Sequence, residues 1–145
     1  MKNTKTKLVL LAISVMFILI TGIQSINAQN MSDTELKISN VKGGFGSVSI
    51  DIENIGEVNA ENITSTIVAT GGFLEKINIY HECSGCSSCG TILEPGAIKT
   101  ENTLEAGLIL GIGPIEINIT AGASNADTIT SNANGFVIGF FVIIQ

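Results

Sequence analysis

Apolar and polar residues alternate along most of the chain after residue 35, which is the period of half-buried β-strands. The run at residues 48–53 places Val48, Ile50 and Ile52 on one face and polar side chains on the other. Residues 63–69 repeat this pattern, and a turn rich in Asn and Gly separates the two runs. Two such strands cannot bury their apolar face alone, so the rest of the chain has to supply a second layer.

Turn-marked segments predict further strands along the remaining chain. The predicted strands cover residues 35–42, 48–53, 63–69, 73–80, 91–93, 97–104, 115–120 and 135–145. Residues 121–134 read as a polar loop, and residues 135–145, apolar on both faces, as a central strand or one shared with another copy. About seven to eight short strands predict an all-β fold, an antiparallel immunoglobulin-like β-sandwich. An up-and-down barrel is the alternative.

An N-terminal leader precedes this domain. Lys2, Lys5 and Lys7 stand before an uncharged run at residues 8–23, which is the pattern of an export signal. Residues 1–28 are therefore predicted to form an apolar helix that is a signal peptide cleaved after Ala28. The run of about 16 residues is just under the length of a membrane span, so an uncleaved signal anchor is the alternative. Residues 30–145 are expected to lie outside the cytoplasm in either case.

Charge excludes one class of partner. The chain carries a net charge of −6, and beyond residue 28 four lysines stand against thirteen acids, a net charge of −9. A nucleic-acid partner is excluded, because no cationic surface exists to displace counterions. Export would also expose three candidate N-glycosylation sites, at Asn30, Asn62 and Asn118.

A cysteine-rich loop at residues 81–90 is the chemical oddity of the sequence. His81, Cys83, Cys86 and Cys89 follow a C-x₂-C-x₂-C spacing, with the histidine two residues upstream. Such a set could hold zinc or copper(I). The favoured alternative outside the cytoplasm is a disulfide among the three cysteines, with one thiol left over. The chain has one histidine and no residue marked to orient it, so we expect neither catalytic residues nor a cofactor.

Several short motifs resemble those of CARDB-type, cell-adhesion-related modules. The corner from Asn54 to Ala60 resembles their N-x-G-x-x-x-A motif, and residues 93–96, Leu-Glu-Pro-Gly, resemble their L-x-P-G turn. Residues 111–115 and 135–139 are similar to closing motifs of archaeal cell-surface proteins. The resemblance covers most of residues 35–145, and the cysteine loop departs from it. It implies an extracellular immunoglobulin-like sandwich used for structure or adhesion.

The sequence thus predicts a secreted or surface-displayed binding module without catalytic activity. Its expected partners are other surface proteins or copies of itself, with membrane contact only through the N-terminal segment. The alternative function is a metal-binding or redox-active extracytoplasmic protein that uses the loop of His81, Cys83, Cys86 and Cys89.

Overall fold

The structure is a computed structural model that describes residues 34–84 and 92–145. Alternating apolar positions become strands along about two thirds of these residues. The strands are β1 (Leu36–Gly43), β2 (Val48–Asn54), β3 (Ala60–Glu61), β4 (Thr64–Gly71), β5 (Ile77–Cys83), β6 (Ile92–Leu93), β7 (Ile98–Asn102), β8 (Gly111–Ala123), β9 (Ala126–Gly139) and β10 (Phe141–Ile144). Two short 3₁₀ turns, Phe73–Glu75 and Thr103–Glu105, interrupt them. The predicted all-β class is confirmed for this part of the chain, where no helix is long and apolar enough to cross a membrane. The predicted N-terminal helix and leader, residues 1–28, lie outside the described residues.

The strands form two large antiparallel sheets and one small one. The order is β1-β2-β7 in the three-stranded sheet, β10-β9-β8-β4-β5 in the five-stranded sheet, and β3-β6 in the small one. Isoleucines from both large sheets, such as Ile50 of β2 and Ile117 of β8, are fully buried in one core. Fully burying such a side chain stabilises the fold by about 1.5–3 kcal/mol. The arrangement is consistent with the predicted immunoglobulin-like sandwich.

At one edge the two large sheets close on each other. The backbone N–H of Val142 in β10 donates to the Gly44 carbonyl, just beyond β1, over 3.0 Å. A Cβ atom on Gly43 would collide with the Val142 carbonyl, so only glycine permits this approach. Edge strand β10 is therefore partly covered by the chain that follows β1.

The corner after β2 is built on the side chain of Asn54. Its Nδ2 donates to the carbonyls of Val58 and Leu93, both over 2.8 Å, and its Oδ1 accepts from the Gly56 N–H over 3.1 Å. The Asn54 carbonyl also accepts from the Gly96 N–H over 2.7 Å. One fully buried amide thus joins the Asn-x-Gly corner to the Leu-x-Pro-Gly turn, which gives both sequence motifs a structural reason.

Strand β7 differs from its prediction, because its two faces are exchanged. The alternation predicted Ile98 and Leu104 inside, yet Ile98 is 56% exposed and Glu101 is 7% exposed. Pairing with β2 explains the exchange: Glu101 lies opposite the inward-facing Ile50, so it must face inward as well. The polar face of this strand is therefore part of the interior.

Two further segments also differ from their predictions. The predicted polar loop at residues 121–134 is the centre of a long β8–β9 hairpin, paired from Gly111↔Gly139 to Ala123↔Ala126. The predicted central strand at residues 135–145 is instead the end of β9 followed by β10, which pair with each other at the edge of the sheet. Gly139, with φ 62°, permits the tight turn between them.

Candidate functional site

The cysteine-rich loop predicted at residues 81–90 begins later than expected, because β5 continues through Cys83 and pairs with β4 as far as Ser65↔Cys83. His81 and Cys83 therefore stand two residues apart on the inward face of a strand, each 6% exposed. Cys86 and Cys89 lie outside the described residues. The structure thus places two of the four predicted ligands side by side in the interior.

The inward residues of β5 meet the exchanged face of β7 in a group that we call the buried polar cluster. Its members are Ser65, His81, Cys83, Lys99 and Glu101. The Lys99 Nζ lies 2.7 Å from Glu101 Oε1, and the His81 Nε2 lies 3.6 Å from Glu101 Oε2. The Lys99 Nζ also lies 3.7 Å from the Cys83 Sγ. The cluster thereby places the Lys99–Glu101 ion pair of β7 against polar side chains of β5, in a place that sandwiches usually fill with apolar side chains.

Burial makes this cluster costly unless its charges stay paired. Removing an ion from water costs several kcal/mol, and the Lys99–Glu101 pair offsets that cost through close contact. Within the described chain, the Ser65 Oγ and the His81 Nε2 are buried and have no hydrogen-bond partner. Buried polar atoms of this kind are rare in native proteins and often mark a site with a role.

The position of Lys99 disfavours a bound cation. Its ammonium lies 3.7 Å from the Cys83 Sγ and would repel a metal ion bound there. Among the described residues, no group of three or more His, Cys, Asp or Glu side chains could hold a metal ion. A site at His81 and Cys83 would therefore need ligands from residues 85–91 and a displaced Lys99.

A surface groove lies next to His81 of the cluster. A groove of about 270 Å³ is lined by Tyr80, His81, Glu82, Glu105 and Ala106. On its rim the Tyr80 hydroxyl donates to Glu82 Oε2 over 2.8 Å, and this hydrogen bond raises the pKa of Tyr80.

Because alternate residues of a strand stand about 6.6 Å apart, His81 and Cys83 do not form a hydrogen-bonded catalytic pair.

The second unusual feature is an exposed apolar surface on the outer face of the five-stranded sheet, which we call the apolar array. Its members form two rows across β8, β9 and β10: Ile112, Ile138 and Phe141, then Pro114, Phe136 and Ile143. All six are exposed, Phe141 by 62%. Phe45 extends the array, because its ring stacks on Phe140 at 5.2 Å and meets Phe141 edge-on at 5.8 Å.

Polar side chains border the array. In the next row along β8 and β9, Glu116 lies opposite Asn134, followed by the pair Asn118↔Asn132. The candidate glycosylation site Asn118 therefore stands on the same outer face, beyond the array. Asn62 lies at the far end of the domain, where its Nδ2 donates to the Ser124 hydroxyl over 3.2 Å. Both are exposed, and Asn30 lies outside the described residues.

No protein-family model and no curated protein matches the chain. Similar solved structures include the ASH/PapD-like domain 7 of human CEP192, 13% identical with a TM-score of 0.40 over 74% of this chain and 88% of that one. The putative ApaA protein from Bordetella pertussis is 15% identical with a TM-score of 0.41, over 79% of this chain and 97% of that one. The β-D-glucoside glucohydrolase from Trichoderma reesei is 16% identical with a TM-score of 0.36, over 68% of this chain and 18% of the enzyme. These scores are too low to assign a family, so the CARDB resemblance stays a prediction.

Proposed function

We propose that this chain is a secreted or surface-displayed structural or adhesion-type binding module that has no catalytic activity. The apolar array carries the proposal. Soluble monomers rarely expose a contiguous apolar patch larger than about 300–600 Å², and larger patches mark interaction sites. A side chain such as Phe141, 62% exposed, gains by leaving water when a partner covers it.

The leader and the charge balance agree with this proposal. The basic and apolar pattern of residues 1–28 supports export, and the likeness of residues 35–145 to CARDB-type modules supports a role in adhesion. The four lysines among thirteen acids beyond residue 28 speak against nucleic acid as a partner. We accordingly place the domain outside the cytoplasm, with other surface proteins or copies of itself as partners.

The proposal is tested with the full chain in an exporting host. We expect protease added to intact cells to digest the domain, and we expect the exported protein to bind to isolated cell envelopes. Replacing Ile138 by Glu should reduce that binding, because it places a charge in the centre of the array. The matched control is Thr130→Glu, which adds the same charge on the outer face of β9 about 26 Å away. Protection from protease in intact cells, or equal binding by both variants, would contradict the proposal.

A second candidate function, metal binding or redox activity, rests on a separate observation. The His81 Nε2 is buried with no hydrogen-bond partner among the described residues, and it shares the inward face of β5 with Cys83. The proposed metal ligands are His81, Cys83, Cys86 and Cys89, with zinc or copper as the ion; the alternative is a disulfide among the cysteines. Native mass spectrometry should show a mass increment that a chelator removes and that His81→Ala weakens. A mass two hydrogens below that of the reduced chain, with one thiol that reacts with alkylating agent, would establish the disulfide instead.

A further inference from the structure

We infer that the apolar array is the two-fold interface through which two copies of this chain bind each other. This inference rests on the proposed function, because it names the partner of that binding surface. It follows from three properties of the array: its area, its shape and the absence of charge among its members.

The area agrees with what a stable dimer needs. A half-exposed Ile or Phe leaves on the order of 100 Å² open, since aromatic side chains present about 150–250 Å² in all. The six members of the array, with Phe45 and Phe140 beside them, therefore offer about 800 Å². One partner in a standard protein–protein interface contributes about the same area. A second copy that presents the same surface would complete an interface of ordinary size.

The shape of the array suits a copy of itself. Its two rows lie on three adjacent strands in register, with Ile138 in the centre strand between Ile112 and Phe141. A sheet face of this kind packs against another sheet face at about 10 Å, with side chains interdigitated. In a two-fold dimer the same patch serves both partners, so an uncharged patch brings no like charges together. The polar neighbours Glu116 and Asn134 would then form a rim around an apolar centre, as interfaces generally have.

Charge argues against a membrane as the occupant. Amphipathic surfaces that bind lipid carry Lys or Arg beside their apolar residues to hold anionic headgroups. The residues that border the array in the next row of β8 and β9, Glu116 and Asn134, are acidic and neutral rather than cationic. The domain beyond residue 28 also has a net charge of −9, which anionic lipid would repel. A second copy carries the same net charge, but its array is uncharged, so the contact itself needs no basic rim.

The test measures the mass of the full chain in solution. Exported protein, kept in reducing buffer to exclude links between cysteines, is studied by sedimentation velocity over about 1–100 μM. We expect the mass of a dimer, which is twice the 15.1 kDa of the chain, or twice the mass of the chain without its leader if the leader is cleaved. The change Ile138→Glu should weaken association by about 30-fold or more, as hot-spot substitutions do. Phe136→Ser, which adds no charge, should weaken it by about 10-fold, and Thr130→Glu should leave it unchanged. Circular dichroism checks that each variant keeps its β-sheet signal.

Three results would overturn the inference. The first is that the wild-type protein is a monomer at 100 μM. The second is that the Ile138→Glu and Phe136→Ser variants fold and still dimerise as tightly as the wild type. The third is that Thr130→Glu disrupts the dimer as strongly as Ile138→Glu does. These failures remain separable from failure of the proposed function. A monomer whose binding to cell envelopes still depends on Ile138 would keep the array as a binding surface and assign it to a different partner. A monomer that binds no envelope would remove both.

Discussion

The buried ion pair between Lys99 and Glu101 gives the sharpest test of the interior. Changing Glu101 to Leu removes the carboxylate and leaves the Lys99 ammonium, with its side chain 16% exposed, beside the Cys83 sulfur. Leucine is close to glutamate in size, so little cavity forms. The loss of stability then reports the ammonium that has lost its carboxylate.

The magnitude follows from the geometry. Breaking a buried pair by removing one partner costs about 3–5 kcal/mol, whereas replacing both partners with apolar residues is neutral or stabilising. Because Lys99 keeps slight contact with solvent, we expect Glu101→Leu to lower the free energy of unfolding by about 3 kcal/mol. The double variant Lys99→Met/Glu101→Leu should lie within about 1 kcal/mol of the wild type or above it. A domain of this size has about 5–15 kcal/mol in all, so the single change is severe.

The assay is urea unfolding followed by circular dichroism, with all variants in the same reducing buffer. Ile98→Thr is the matched control, since it changes an exposed side chain on the outer face of the same strand and should shift stability by no more than about 0.5 kcal/mol. The slope of free energy against urea should stay constant, which shows that the folded and unfolded states are comparable. If Glu101→Leu costs less than about 1 kcal/mol, or the double variant loses as much as the single one, the charges are not held in a buried pair and our account of β7 is wrong.

Three further predictions concern the corner, the outer face of the three-stranded sheet and the interface. Asn54→Ala should destabilise the domain by about 3 kcal/mol in urea unfolding, because it leaves the Leu93 carbonyl and two other backbone groups without their partner. The hydroxyl of Thr100 and, to a smaller extent, the amide of Asn40 donate hydrogen bonds to Asp51 and lower its pKa below 3.8. These hydrogen bonds therefore stabilise the domain above pH 3.8, and the stabilisation is lost as the pH falls through the pKa of Asp51 in the folded state. Asp51→Asn should therefore flatten the loss of stability below pH 3.8, measured as the urea midpoint against pH. Dimer affinity, measured by sedimentation, should rise between about 0.01 M and 0.15 M salt, since screening weakens repulsion between two acidic copies.

The sequence predicted the strands well where one face is clearly apolar. Strand β2 and the centre of β8 alternate strictly, and their apolar residues form the core as expected. The Asn54 corner is also recognisable as a sequence motif, but the three backbone groups that its side chain binds are brought together only by the fold. These elements are local, because alternation and turn chemistry lie within a few residues of each other.

The sequence predicted less well which face of a strand is buried, because the neighbouring strands decide that. Alternation in β7 separates Ile98 from Lys99 and Glu101 but does not say which face is buried; pairing with β2 decides that. Residues 126–134 of β9 were predicted as part of a loop because they are rich in Thr, Ser and Asn. All fourteen residues of β9 nevertheless extend along β8, and its inward face contributes fully buried Val137 and partly buried Ile129 and Ala133 to the core. Tertiary pairing overrides local preference in both cases.

The two exceptions to binary patterning lie on opposite faces of the five-stranded sheet, and this separation has a consequence. Polar residues face inward on the edge strand β5, while apolar residues face outward on β8, β9 and β10. The nearest array strand, β8, stands two positions from β5, about 10 Å at the usual strand spacing, and Pro114 lies five residues along β8 from Ile119, which is in the row of His81. Departures from patterning tend to mark functional sites, and two departures on opposite faces are best explained as two independent sites. A copy docked on the array would then leave His81 and Cys83 uncovered. Ile138→Glu should consequently weaken the dimer without changing the count of reactive thiols, whereas a shift in that count would show that the interface reaches the cluster.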